Sequence, residues 1–95
     1  MPHETGVGLV GYGLAGAVFH APLIAATPGL RVAAVVTSDP GRAARARREL
    51  PGVRVARDLD ELLRHPDGLG LVVVASANRA HVAQATAALL AGLPV

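Results

Sequence analysis

Short apolar runs rich in β-branched residues alternate along the chain with longer runs rich in alanine and leucine. The apolar runs are continuous instead of alternating with polar residues, most clearly at Val72, Val73 and Val74. Strands that are apolar on both faces are typical of parallel sheets covered by helices. The pattern predicts strands over residues 7–10, 31–36, 53–56 and 69–75, each followed by a helix, over residues 14–26, 40–50, 58–65 and 78–91.

Polar residues and prolines mark where these helices begin and bend. Asp39 before Pro40 predicts an N-cap followed by proline at the first helical position. Asp58 and Glu61, three positions apart, resemble a capping box at the start of the third helix. Pro22 lies inside the first helix, where it removes a backbone donor, so we expect a break or a kink there.

The order of these elements predicts an α/β fold, because four strand–helix units follow one another. Such a succession forms an open, mostly parallel sheet covered by helices. The last residues, Leu93–Val95, look like the beginning of a fifth strand, so we expect a sheet that is incomplete at the C-terminus. An unpaired sheet edge favours self-association, and a homo-oligomer is therefore one expected state.

The composition narrows the class of protein. Ninety-five residues make one domain at most, and 52 % apolar with 2 % aromatic residues predicts an aliphatic core, not a disordered chain. No apolar stretch reaches the roughly 18 uninterrupted residues of a membrane span, and the amino terminus does not resemble a secretory signal. The chain has no cysteine, which excludes disulfides and thiolate chemistry. We therefore expect a cytoplasmic protein without a membrane partner.

The net charge of +2 comes from nine basic residues that are all arginine. A short stretch holds four of them: Arg42, Arg45, Arg47 and Arg48. Such a cluster can bind nucleic acid, but no aromatic residues interleave with it to stack on bases. Glu49 follows Arg45 by four residues, a spacing that suits an ion pair on a helix surface. We interpret the stretch as a solvated helix face and expect no nucleic-acid partner.

Three glycines follow the first strand at the spacing G-x-G-x-x-G: Gly11, Gly13 and Gly16. The context is the required one, with a strand before, a helix after and a second strand about 20 residues on. Gly11 permits a tight turn, Gly13 lets the backbone approach a pyrophosphate, and Gly16 lets the helix pack against the strand. The N–H groups after Gly11 would face the anion at the positive end of the helix dipole. The alternative is a glycine-rich turn with only a packing role.

Around this motif the sequence resembles the amino-terminal half of the Gfo/Idh/MocA oxidoreductases. The resemblance is carried by residues 11–16 (Gly-Tyr-Gly-Leu-Ala-Gly), 19–24 (Phe-His-Ala-Pro-Leu-Ile), 35–40 (Val-Val-Thr-Ser-Asp-Pro), 58–63 (Asp-Leu-Asp-Glu-Leu-Leu), 72–75 (Val-Val-Val-Ala) and 87–92 (Ala-Ala-Leu-Leu-Ala-Gly). Two departures are that Ser76-Ala77-Asn78 stands where the family commonly has Thr-Pro-Asn, and that the family's Glu-Lys-Pro motif would lie beyond Val95. The resemblance implies a Rossmann-like doubly wound parallel sheet, with residues 1–95 as part of an NAD(P)-binding domain and no substrate domain.

The resemblance also implies which residues hold a nicotinamide dinucleotide. They are Gly11, Tyr12, Gly13, Leu14, Ala15 and Gly16 of the glycine turn, Thr37, Ser38 and Arg42 after the second strand, and Ala75, Ser76, Asn78 and His81 after the fourth. Asn78 is equally well explained as the N-cap of its helix. A histidine at position 81 more often forms a local hydrogen bond than transfers a proton. We predict no catalytic residue and no metal site in this chain.

The residues that follow the second strand bear on the choice of cofactor. An acid there would accept a hydrogen bond from the ribose 2′-hydroxyl of NAD and repel a 2′-phosphate. Thr37 and Ser38 stand in that place, Asp39 is explained by helix capping, and Arg42 could donate charge-assisted hydrogen bonds to a phosphate. We expect NADP(H), with NAD(H) as the second option. If Thr37 and Ser38 only form a turn, the preference stays unset.

The expected function is that of the dinucleotide-binding portion of a nicotinamide-dependent oxidoreductase acting on a sugar, polyol or similar small molecule. The alternative is a free-standing dinucleotide-binding or sensor module without catalysis. A methyltransferase also uses a glycine-rich first turn, but it usually has an acid after the second strand, where Thr37 and Ser38 stand here. Because the chain has no lysine and ends before the Glu-Lys-Pro position, we expect it to be inactive by itself.

Overall fold

The computed structural model describes residues 5–13, 15–65, 68–75 and 78–95, with the side chains of residues 15, 18 and 78–83 outside that description. The strands are β1 (Thr5–Val10), β2 (Leu30–Val36), β3 (Arg54–Ala56) and β4 (Leu71–Val74). The helices are α1 (Ala21–Ala26), α2 (Pro40–Glu49), α3 (Leu59–Arg64) and α4 (Asn78–Leu90), and a π-helical segment, Ala15–His20, precedes α1. Within the described ranges, no helix combines the length and the apolar character that a membrane crossing requires.

The strands form one parallel sheet in the order β3-β2-β1-β4. Val10 at the end of β1 lies opposite Val36 of β2 and Val74 of β4. The carboxyl ends of the three strands therefore meet at one edge. The chain proceeds outward from β1 through β2 to β3, and then returns to place β4 on the other side of β1. This reversal confirms the predicted doubly wound α/β fold.

The two faces of the sheet carry separate hydrophobic clusters. Successive side chains of a strand point to opposite faces, and Leu9 and Val10 of β1 accordingly belong to different clusters. The Leu9 cluster contains Leu9, Tyr12, Ala17, Ala21, Val35 and Ala46, and so joins the sheet to the π-helical segment, α1 and α2. The Val10 cluster contains Val10, Ala34, Val36, Ala56, Leu59, Leu62, Val72 and Ala88, and so includes α3 and α4. Both faces are covered, as the continuous apolar strands predicted.

Two aspartates cap helices as the sequence predicted. The Asp39 Oδ1 atom accepts a hydrogen bond from the Arg42 N–H at 3.0 Å, at the start of α2. The Asp58 Oδ1 atom accepts one from the Glu61 N–H at 2.8 Å, at the start of α3. A cap of this kind typically stabilises a helix by about 1 kcal/mol.

The predicted first helix is divided into two segments of different geometry. The π-helical segment ends at His20 and α1 begins at Ala21, with Pro22 in the first turn of α1. A first-turn proline lacks only an N–H group that has no partner inside the helix. The backbone stays helical through His20, and its geometry changes at Ala21, next to the residue at which the sequence predicted a break or a kink.

The last residues of the chain lie beside β4. The Val72 N–H donates to the carbonyl oxygen of Pro94 at 2.8 Å, and Leu93 packs against the Val10 cluster. Leu93–Val95 is not a regular strand in the structure. The bond nevertheless places Pro94 at the open edge of the sheet, where the sequence predicted a fifth strand to begin.

Replacing Leu62 by alanine should lower the free energy of unfolding by about 2–5 kcal/mol, because it leaves a cavity in a packed core. Leu62 is fully buried in the Val10 cluster. The matched control is Leu90→Ala at the end of α4, since 85 % of Leu90 is exposed. Urea unfolding of both variants measures the difference. Equal losses would contradict the described core.

Candidate functional site

The glycine turn begins where β1 leaves the sheet. The Gly11 N–H donates to the carbonyl oxygen of Val36 at 2.9 Å, and the Ala75 N–H donates to that of Val10 at 2.9 Å. These bonds fix the start of the turn between the ends of β2 and β4. Gly11 has a φ of 98°, which L-residues with side chains rarely adopt. Glycine is therefore required for the backbone at this position.

Gly16 lies against the backbone of the same turn. A Cβ atom placed on Gly16 would overlap the carbonyl oxygen of Gly11. The residues after the turn can approach the end of β1 this closely only because position 16 has no side chain. This contact agrees with the packing role that the sequence predicted for the third glycine.

Arg42 of α2 reaches the middle glycine of the turn. A Cβ atom on Gly13 would lie 3.4 Å from Arg42 Cζ and 3.5 Å from each terminal guanidinium nitrogen. The guanidinium group therefore lies beside the space that Gly13 leaves open. An anion bound at this turn would meet backbone N–H groups and a cation together, an arrangement that suits phosphate.

Thr37 and Ser38 lie between β2 and α2, where the Thr37 side chain forms a local hydrogen bond. The Thr37 N–H donates to the carbonyl oxygen of Ala56 at 2.9 Å, and Thr37 Oγ1 accepts from the Asp39 N–H at 3.2 Å. The backbone N–H of Arg42 holds the pKa of Asp39 below its ordinary value, so this cap is a carboxylate at neutral pH. The bond from the Asp39 N–H gives Thr37 a local structural role beside the cofactor role that the sequence predicted.

A cavity of about 260 Å³ opens at the carboxyl ends of β1 and β2. It is lined by Val10, Gly11, Val36, Thr37, Ser38, Arg57, Asp58, Leu59 and Gln84. Of these nine residues, the sequence analysis had named only Gly11, Thr37 and Ser38 as site residues. Three of the six that it missed, Arg57, Asp58 and Leu59, follow β3. Residues that follow neighbouring parallel strands meet at the same sheet edge, so the strand order would have indicated these three. Among the described residues, no group of three His, Asp or Glu side chains could hold a metal ion.

The remaining predicted residues are only partly placed. Leu14 and Ser76 lie outside the described residues, and so do the side chains of Ala15, Asn78 and His81. Ala15 begins the π-helical segment, Asn78 is the first residue of α4, and Ala75 follows β4. The predicted roles of Leu14, Ala15, Ser76, Asn78 and His81 therefore stay predictions.

The side chain of Tyr12 does not line the cavity at the strand ends. It is 2 % exposed in the Leu9 cluster, and its hydroxyl donates to Glu49 Oε1 at 2.6 Å. Arg45 Nε donates to the same carboxylate oxygen at 3.0 Å. Tyr12 and Glu49 line a second cavity, of about 370 Å³, together with Ala17, Ala21, Pro22, Ala25 and Leu50. The two cavities share no lining residue.

A parallel sheet whose strand order reverses beside a glycine turn, with a cation at that turn, defines a dinucleotide-binding domain of the Rossmann type. The model of the Gfo/Idh/MocA oxidoreductase family, described as an NAD-binding Rossmann fold, matches residues 5–95. The chain belongs to this family, as its sequence motifs predicted. The matched model describes a dinucleotide-binding Rossmann domain, as the sequence predicted, and the alternative of a free-standing module is not favoured.

Known proteins similar to this chain include two curated relatives and a crystal structure. The uncharacterized oxidoreductase YdgJ of Escherichia coli is 41 % identical over 92 residues, which are 97 % of this chain and 25 % of YdgJ. The scyllo-inositol 2-dehydrogenase (NADP(+)) IolW of Bacillus subtilis is 33 % identical over 86 residues, 90 % of this chain and 23 % of IolW. The chain thus spans about a quarter of the length of the curated relatives it matches.

The crystal structure is that of scyllo-inositol dehydrogenase from Lactobacillus casei with bound NAD(H) and scyllo-inositol. It matches with a TM-score of 0.85 and 32 % identity, over 95 % of this chain and 26 % of that one. The similarity supports the binding of a nicotinamide dinucleotide by this chain.

Tyr12 should make the stability of the protein fall between pH 10 and pH 12. Burial, followed by the hydrogen bond to Glu49, raises the pKa of Tyr12 from 10.0 to about 12. Because the folded state holds this proton more tightly, the stabilisation is complete below pH 10 and is lost as the pH rises through 12. The chain has one tyrosine, no cysteine and no lysine, so no other side chain ordinarily titrates in this range.

The measurement is urea unfolding at several pH values from 8 upward, on the natural sequence and on Tyr12→Phe. The phenylalanine variant should lose the decline above pH 10 while keeping the aromatic ring. An equal decline in both proteins would assign the alkaline transition to another cause.

Proposed function

We propose that this chain is the NADP(H)-binding part of an oxidoreductase that acts on a sugar, a polyol or a similar small molecule. The observation that carries the proposal is the contact between the Arg42 guanidinium group and the open side of Gly13. A cation beside a glycine turn fits the phosphates of a dinucleotide better than it fits a turn with only a packing role.

The residues present fit a dinucleotide along the carboxyl edge of the sheet. The N–H groups of the turn and the Arg42 guanidinium group would hold the pyrophosphate where Gly13 leaves space. The adenosine end would occupy the 260 Å³ cavity, whose apolar lining includes Val10, Val36 and Leu59. When bound, a nicotinamide dinucleotide supplies hydride transfer, and the protein supplies binding and orientation.

Three features favour NADP(H) over NAD(H). Thr37 and Ser38 line the cavity where an acid would repel a 2′-phosphate. Thr37 Oγ1 already accepts from the Asp39 N–H, which leaves the hydroxyl proton for donation to a phosphate oxygen. Arg57 lines the same cavity and brings a cation to it; its Nε atom also pairs with Glu61 Oε2 at 3.5 Å, and the Asp58 carboxylate in the lining is used as the cap of α3. Similar proteins are named for NADP(+) in one case and hold NAD(H) in another, so the preference rests on these residues.

The substrate class is proposed from similar proteins. Both IolW and the Lactobacillus casei enzyme are named for scyllo-inositol, a polyol. We assign residues 1–95 to one dinucleotide-binding domain and place substrate contacts in another domain, so that residues 1–95 alone would not complete the reaction. A cytoplasmic location belongs to the same proposal and rests on the absence of cysteine from the sequence.

Replacing Gly13 by valine should weaken the binding of NADPH at least tenfold, about 1.4 kcal/mol. The branched side chain would fill the space proposed for the pyrophosphate. It meets only the flexible end of Arg42, so the fold should persist. Fluorescence titration measures the affinity, and circular dichroism checks the fold. The control is Ala44→Val, which adds the same branched side chain at an exposed position of α2. Unchanged affinity in Gly13→Val would remove Gly13 from the site.

Replacing Thr37 by aspartate should shift the preference from NADPH toward NADH by about tenfold or more, because a carboxylate repels the 2′-phosphate and accepts from a ribose hydroxyl. Both dissociation constants are measured at one fixed salt concentration. Thr37→Val is the matched control, since it removes the hydroxyl without adding charge. If the unsubstituted protein already binds NADH more tightly than NADPH, the NADP(H) assignment is contradicted.

A further inference from the structure

We propose that Tyr12 is a positioning residue for phosphate binding, because its bond to Glu49 fixes α2, and with it Arg42, against the glycine turn. This inference rests on the proposed function, since it concerns how the same turn is held in its binding geometry. We call the hydrogen bond between Tyr12 and Glu49 the latch.

The side chain of Tyr12 packs on the sheet face of the Leu9 cluster, away from the cavity at the strand ends where a ligand would lie. It is buried in the Leu9 cluster and lines the 370 Å³ cavity, whereas the proposed cofactor cavity is lined by other residues. Its backbone, in contrast, belongs to the glycine turn. Any effect of the Tyr12 hydroxyl on cofactor binding is therefore indirect and must pass through the position of the turn or of α2.

Two adjacent residues of the turn each meet α2. Gly13 lies beside the guanidinium group of Arg42, and Tyr12 donates to Glu49. Arg42 and Glu49 are seven positions apart, which places them on one face of the helix, two turns and about 10 Å apart along its axis. The helix thus contacts the turn near both of its ends. A shift or rotation of α2 that moves Arg42 away from Gly13 would also break the latch.

The latch has the length and the ionised acceptor of a strong hydrogen bond. Its length of 2.6 Å is in the range of O–H···O⁻ bonds to a carboxylate. The hydroxyl of Tyr12, followed by Arg45, holds the pKa of Glu49 below its ordinary value, which keeps the acceptor ionised. Arg45 and Tyr12 donate to the same oxygen, but only Tyr12 connects α2 to the turn. This difference provides a matched control.

The experiment compares Tyr12→Phe with Arg45→Gln in the purified protein, by NADPH titration and by thermal unfolding. Tyr12→Phe should weaken NADPH binding about three- to tenfold. Arg45→Gln removes the other bond to Glu49, and it should leave the dissociation constant within about twofold of the natural value. A purely structural role for Tyr12 predicts a lower unfolding temperature with unchanged affinity of the folded protein.

A double-variant cycle tests whether the latch acts through Arg42. If it does, Arg42→Gln should weaken NADPH binding less in the Tyr12→Phe background than in the natural sequence, because Arg42 is already displaced there. Glu49→Ala provides an independent second variant at the surface, and it should cause the same loss as Tyr12→Phe. The combination of Tyr12→Phe with Glu49→Ala should lose no more than either single change.

The outcomes separate this inference from the proposed function. If Tyr12→Phe and Glu49→Ala both bind NADPH within twofold of the natural protein while Gly13→Val loses tenfold, the latch has no positioning role and the proposed function stands. The positioning role would also be overturned if the fold-losses in NADPH affinity caused by Tyr12→Phe and by Arg42→Gln simply multiply in the double variant. If the unsubstituted protein binds neither NADPH nor NADH, both proposals are overturned.

Discussion

The candidate site depends on the close approach of Gly16 to the carbonyl oxygen of Gly11. A side chain at Gly16 would push the π-helical segment away from the end of β1. The Leu9 cluster, which packs that segment and α2 against the same face of the sheet, would then be disrupted. Because α2 carries Arg42, the charge at the turn also depends on this one backbone contact. The absence of a side chain at Gly16 thus permits the positions of the π-helical segment and of α2, and with α2 the position of Arg42.

The sequence predicted the fold well because its strongest signals are local. The caps Asp39 and Asp58 each bond an N–H group three residues away, so each signal and its structure lie in one short segment. The continuous apolar strands likewise predict burial on both faces without knowledge of their neighbours. The irregularity near Pro22 was predicted, but the π-helical geometry of the segment before it was not. Hydrophobic periodicity does not distinguish a π-helical segment from an α-helix over so few residues.

The site was harder to predict because its contacts join distant segments. Arg42 was selected for its charge, but its place beside Gly13 follows from how α2 packs on the sheet. Arg57 was missed because no motif marks it; only the strand order brings it to the cavity. The arginines of the stretch are all exposed, as the interpretation of a solvated helix face predicted, but they have different neighbours. Arg42 lies at the turn and Arg45 pairs with Glu49, while Arg47 and Arg48 lie in the last turn of α2, where cations offset the helix dipole.

The latch also gives the protein an internal optical reporter. Tyr12 is the single tyrosine of a chain that has no tryptophan and one phenylalanine. Near-ultraviolet absorbance and circular dichroism therefore come almost entirely from one ring, buried beside the turn and bonded to an ionised carboxylate. Spectra that in most proteins average over many aromatic residues here describe the surroundings of a single hydrogen bond, without any label.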